Sequence, residues 1–169
     1  MAGFSWDGAR PVLEHCDAAI HDQTPVKGFL TLEEELQAVT ASGTGTRVAV
    51  NWGRSAIEVR DGVAAFHHIR ACLDSELLAG VVLSGCAPVA TRFGEAWDDC
   101  HVPPAPVEPA SLLTPAWIRS VSAALEHAPG GPDKEVYRGL KVSAPPGSSV
   151  ARRVGLLSGS IDVARAAGF

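Results

Sequence analysis

Four short apolar runs, each followed by polar or Gly-rich residues and then by a helix signal, constrain this chain more than any other feature. They occupy residues 11–16, 47–51, 80–84 and 139–143. Runs of this length, rich in Val and Leu, suit parallel strands covered on both faces. The helix signals alternate with them. Thr31 begins Thr-Leu-Glu-Glu, a capping box, and Gly43 stops that helix after Ser42. Asp61 caps a helix from Gly62 to about Leu73, with Val63, Phe66, Ile69 and Leu73 at helical spacing. Thr114-Pro115 opens a third, which stops before Pro129, and Ser148 or Ser149 opens a fourth. Parallel strands need such helical crossovers.

The expectation is therefore an α/β fold of four βα units, a single domain over residues 1–169. Half of a TIM-like (β/α)8 barrel and a small open doubly wound sheet both accommodate that order. In either, ligands sit at the carboxyl ends of the strands. Two long loops, 17–30 and 85–113, are functional candidates by length, and the second is stiffened by Pro103, Pro104, Pro106 and Pro109.

Composition narrows the partners. Hydrophobic residues make up 46% of the chain and charged residues 20%, which is a globular balance. A net charge of −5 without a Lys/Arg cluster argues against nucleic acid. No apolar run approaches a membrane span, and the start lacks the pattern of a signal peptide, so a cytoplasmic location is expected. The four cysteines form no CxxC pair and are expected as free thiols. No GxGxxG or GxxxxGK[ST] motif is present, so no nucleotide cofactor is expected.

The strand ends supply the candidate chemistry. In the first strand Glu14 shares a face with Val12 and Cys16, while His15 and Asp17 point the other way. A carboxylate in a buried strand needs a metal, a cation or a substrate hydroxyl, so Glu14 is a candidate base or metal ligand. After the second strand come Asn51, Trp52, Gly53 and Arg54. Arg54 offers a planar fork for a carboxylate or phosphate, and Gly53 allows close backbone approach. Glu58 is a candidate ion-pair partner for Arg54. Ser84 ends the third strand, and Asp98, Asp99 and His101 follow in its loop, close enough to act as metal ligands or as an acid–base pair. Lys141 stands inside the fourth run. Three roles compete for it: neutralising Glu14, binding an anionic substrate, and forming a Schiff base. His67 and His68 face different directions on a helix and read as structural or surface residues.

Several stretches resemble an uncharacterised bacterial family of sugar-isomerase-like barrels. They are Phe4 to Arg10, Leu13 to Asp17, Asn51 to Glu58, Ser84-Gly85, the segment 97–104, and the helix entry Ser111 to Pro115. That family is similar to the xylose-isomerase-like TIM barrels. The resemblance implies the carboxyl-terminal half of such a barrel, with a sugar isomerase or epimerase activity and often a divalent metal. Glu14 matches the first metal position, Asn51 stands roughly where an aspartate is usual, and His101 or Asp98 matches the third. Lys141 departs from the pattern, because an acidic ligand is usual there.

The expected function is a sugar isomerase/epimerase-like enzyme on a small sugar or sugar acid. Its catalytic residues would be Glu14, His101 and Lys141. His15, Asn51, Trp52, Arg54 and Ser84 would bind substrate, and Glu14 with His101 would hold a metal. Two alternatives stand beside it: a Schiff-base lyase or aldolase using Lys141, and a non-catalytic half-barrel that binds a ligand or pairs with itself. The expected partners are a small-molecule substrate and either a second copy of the chain or a missing amino-terminal half.

Overall fold

The computed structural model describes residues 7–18, 27–28, 30–127 and 136–169. Four parallel strands alternate with helices along these segments. β1 (Val12–His15) leads to α1 (Leu32–Ser42), and β2 (Arg47–Asn51) leads to α2 (Trp52–Val59) and α3 (Gly62–Asp74). β3 (Leu78–Leu83) is followed by α4 (Pro115–Glu126), and β4 (Tyr137–Leu140) by α5 (Val150–Ala166). The sheet order is β1-β2-β3-β4, parallel throughout. Strand order follows chain order without the reversal of a doubly wound sheet.

The expected helix starts are all present. Thr31 closes a full capping box with Glu34, and Gly43 ends α1 in the left-handed conformation. Asp61, Thr114 and Ser149 cap α3, α4 and α5 through their side chains. Each such cap satisfies a backbone N–H that the helix itself leaves open, typically about 1 kcal/mol. The core lies between sheet and helices. Val48, Val50, Val81 and Leu83 on one sheet face are fully buried, with Ile69, Ile118 and Val121 from the helices.

Three expectations are corrected. Residues 52–59 form a helix that the expected helix starts did not include, so Arg54 lies in the first turn of α2, and Asn51 is its N-cap. The fourth strand is Tyr137–Leu140, shifted toward the amino terminus from 139–143. Lys141 follows it, its N–H still bonded to Leu83 O at 2.9 Å, with its side chain exposed. It is not a lysine inside a buried strand. Most of the loop expected at 17–30 lies outside the described residues, as do Phe4 to Trp6 of the resemblance.

Candidate functional site at the carboxyl ends of the strands

The register of β1, β2 and β3 sets the site. Glu14 pairs with Ala49, and Asn51 with Val82, so Glu14 and Asn51 share one sheet face at the carboxyl end. Asn51 Nδ2 donates to Glu14 Oε1 at 3.2 Å, while Asn51 Oδ1 caps α2. The cap thus fixes the amide that orients the carboxylate.

Arg54 is the hub. Its side chain is 6% exposed and lies between two carboxylates, with Nη1 3.0 Å from Glu14 Oε1 and Nε 3.1 Å from Asp99 Oδ2. Nη1 also donates to Cys16 Sγ at 3.0 Å. Burial alone would lower the Arg54 pKa, but the charges of Asp99 and Glu14 outweigh it and raise it. A guanidinium carries five N–H donors, so these three bonds leave capacity for a ligand. The Glu14 side chain is 42% exposed and forms the open side of the pair.

Asp99 collects three donors. Lys27 Nζ and Arg54 Nε both reach Oδ2 at 3.1 Å, and His101 Nδ1 lies 3.1 Å from Oδ1. Burial would raise this carboxyl, but the His101 hydrogen bond and the charges of His101 and Arg54 hold it well below the usual range. His101 Nδ1 also lies 3.1 Å from Ser84 Oγ. The chain of contacts therefore runs Asn51, Glu14, Arg54, Asp99, His101, Ser84.

The long loop is held to deliver Asp99 and His101. Gly85 and Val102 exchange two backbone hydrogen bonds of 2.9 Å, which pin the loop's return beside the end of β3. A Cβ at Gly85 would stand 2.5 Å from Val102 O, so only glycine fits that approach. His101 takes φ +53°, a left-handed conformation that non-glycine residues hold only where their surroundings enforce it. On the other side, a Cβ at Gly53 would meet Ser84 O at 2.5 Å, so α2 packs backbone against backbone on the end of β3.

Of the residues expected at the site, Glu14, Asn51, Arg54, Ser84 and His101 converge. Three others do not. Trp52 is fully buried in the helical layer, against Gly62. His15 is buried on the opposite sheet face, hydrogen-bonded to Glu35 and Glu58, so Glu58 is not the partner of Arg54. Lys141 follows the far edge strand. Three strand spacings separate it from β1, roughly 14 Å along the sheet, and Glu14 takes its cation from Arg54 instead. Cys16 and Lys27 are site members that the strand-end reading left unassigned, and of the two loop aspartates it named, Asp99 is the one in the network. Asp99 stands beside His101 in sequence, but nothing local marks which of Asp98 and Asp99 turns inward.

A divalent metal does not fit Glu14 and His101. The guanidinium of Arg54 already occupies both nearby carboxylates, and a second cation there would be repelled at close range. All four cysteines are free thiols, and no helix is long and apolar enough to cross a membrane among the described residues.

The family model described as a domain of unknown function, DUF4862, matches residues 1–156. An uncharacterised protein of Salmonella typhimurium strain LT2 is 33% identical over 142 residues, covering 84% of this chain. The chain spans 42% of that relative's length. No solved structure matches.

Proposed function

We propose, for a chain that belongs to the DUF4862 family, a sugar isomerase/epimerase-like activity on a small sugar or sugar acid, carried by Glu14, Arg54 and His101. The observation that supports this reading is the continuous network Glu14–Arg54–Asp99–His101 at the carboxyl ends of the strands. Proton transfer next to a carbonyl needs a base near the acidic carbon and a cation for the developing oxyanion. Glu14, half open to solvent, is the base that takes the proton. Arg54, fixed by two carboxylates, directs a remaining N–H at the oxyanion. His101, oriented by Asp99 and Ser84, returns a proton to the neighbouring position. Arg54 thereby takes the role first expected of Lys141, and no step requires a metal at Glu14. The resemblance to xylose-isomerase-like barrels points to the same substrate class.

The test is exchange of substrate C–H for deuterium in heavy water, followed by proton NMR across a panel of small aldoses, ketoses and sugar acids. A substrate of this enzyme loses its C–H signal, and Glu14→Gln slows the loss by about 10²–10⁴-fold, the usual contribution of a general base. A panel without exchange, or exchange that survives Glu14→Gln, counts against the reading.

A second reading is that of a half that works only when paired with its complement or with a second copy. The sheet supports it, because among the described residues β1 and β4 are edge strands whose outer hydrogen-bonding sides face no other strand.

A further inference from the structure

A second polar cluster lies on the face of β1 opposite Glu14, and the reaction proposed above does not use it. His15 is fully buried. Its Nδ1 stands 2.8 Å from Glu35 Oε2 and its Nε2 2.8 Å from Glu58 Oε2. His68 of α3 meets the His15 ring edge-on, with centroids 5.0 Å apart and planes at 77°. One ligand atom each from His15, Glu58 and His68 lies within 4.8 Å of the others.

Three features of this cluster point to a cation. Two buried carboxylates flank a single imidazole, and burying carboxylates together is costly without a cationic partner. His68 Nδ1 is buried with no hydrogen-bond partner, which leaves a lone pair or a proton unsatisfied. His15 turns Nε2 toward Glu58 while Glu35 holds Nδ1, and a carboxylate on the far nitrogen is the arrangement that orients metal-bound histidines.

We propose that His15 Nε2, the Glu58 carboxylate and His68 bind one divalent transition metal of the zinc class, with Glu35 fixing the His15 ring. Imidazole and carboxylate are the donor types such an ion takes. Ligand bonds of roughly 2.0–2.2 Å set the atoms of a tetrahedral shell roughly 3.3–3.5 Å apart. The His15–Glu58 contact therefore opens slightly and the His68 ring moves inward by about an ångström. The metal displaces the proton on His15 Nε2, which leaves to solvent, and a fourth position stays open to water. The ion ties β1, α2 and α3 together beneath the sheet. It is separate from the Glu14–His101 position, where Arg54 stands.

The experiment uses the 169-residue chain, stripped with chelator and titrated with cobalt(II), then with zinc in competition against a chromophoric chelator. The expected result is one equivalent of cobalt with the visible bands of a low-coordinate N/O site, displaced by zinc. His68→Ala and Glu58→Gln weaken binding at least tenfold, and Glu35→Gln weakens it about ten- to a hundredfold. Glu14→Gln and His101→Ala leave the affinity unchanged. Absence of a stoichiometric cobalt spectrum in the wild-type chain overturns the proposal and leaves the cluster a proton-bridged one. Binding that survives His68→Ala but is lost in Glu14→Gln overturns it as well, because the metal then sits at the strand ends. The wild-type titration decides the matter even where a variant fails to fold.

Discussion

Arg54 is the residue on which the strand-end network depends. Its loss takes the cation from Glu14 and leaves Asp99 with Lys27 and His101 alone, and breaking a buried pair by removing one partner typically costs 3–5 kcal/mol. Because Glu14 is partly in solvent, Arg54→Met is expected to cost about 3 kcal/mol in urea unfolding. Arg54→Lys recovers only part of this, since an ammonium cannot reproduce the fork that spans both carboxylates. His15 sets a pH dependence of its own. Burial would lower its pKa, but hydrogen bonds and charges from Glu35 and Glu58 outweigh that and raise it from 6.5 to about 9. The folded value exceeds the unfolded one, so the stabilisation is complete below about pH 6.5 and is lost as pH rises through 9. In metal-free protein, the stability gap between wild type and His15→Gln is expected to shrink by about 3 kcal/mol between pH 6.5 and 9.5, read from urea midpoints. At this scale the sequence was partly legible. A carboxylate in a strand announces a need for a partner, which Glu14 has. The partner is Arg54, 40 residues on in α2 and held from its other side by Asp99 of a distant loop, and no local pattern carries that.

Secondary structure was legible wherever a cap and an apolar period coincide. Thr31, Asp61 and Thr114 start helices where the capping logic puts them. α2 escaped notice because Asn51, Trp52 and Gly53 carry turn chemistry. Asn51 turned out to be a cap, and Gly53 answers to a close approach rather than to a bend. β4 was misplaced because Tyr137, Arg138 and Gly139 do not read as an apolar run, whereas Leu140, Lys141 and Val142 do. Tertiary packing overrode that pattern, since Tyr137 pairs with Gly80 and lays its ring where a Gly80 side chain would stand. The tight seam between α2 and β3 makes a firm prediction. Gly53→Ala places a methyl 2.5 Å from a backbone carbonyl that has no flexible side chain to move, so the elements must separate. A loss of about 2 kcal/mol or more is expected, with weaker contact between Ser84 and His101. Thermal unfolding and the His101 imidazole NMR signals check it.

At the scale of the whole molecule, the described residues present a sheet with two edges and an apolar rim. Val12 and Leu13 are exposed on β1, and a cleft of about 420 Å³ beside them is lined by Leu13, Leu30 and Val39 as well as Glu14. Open edges with apolar flanks favour association. The chain is therefore expected to sediment above its monomer mass of 17.6 kDa, and Val12→Lys is expected to shift it toward the monomer. A monomeric wild type would remove the argument for edge pairing. The order of four βα units was legible from the alternation of apolar runs and caps, because that alternation is repeated over the entire chain. What lies beneath the sheet was not, because His15, Glu35, Glu58 and His68 come from four separate elements. Glu14 and His15 are neighbours in sequence yet serve opposite sides of one strand. Point substitutions can therefore alter either side alone, but a one-residue insertion or deletion within β1 exchanges their directions and disables both together. Over generations, that strand can change its letters but not its length.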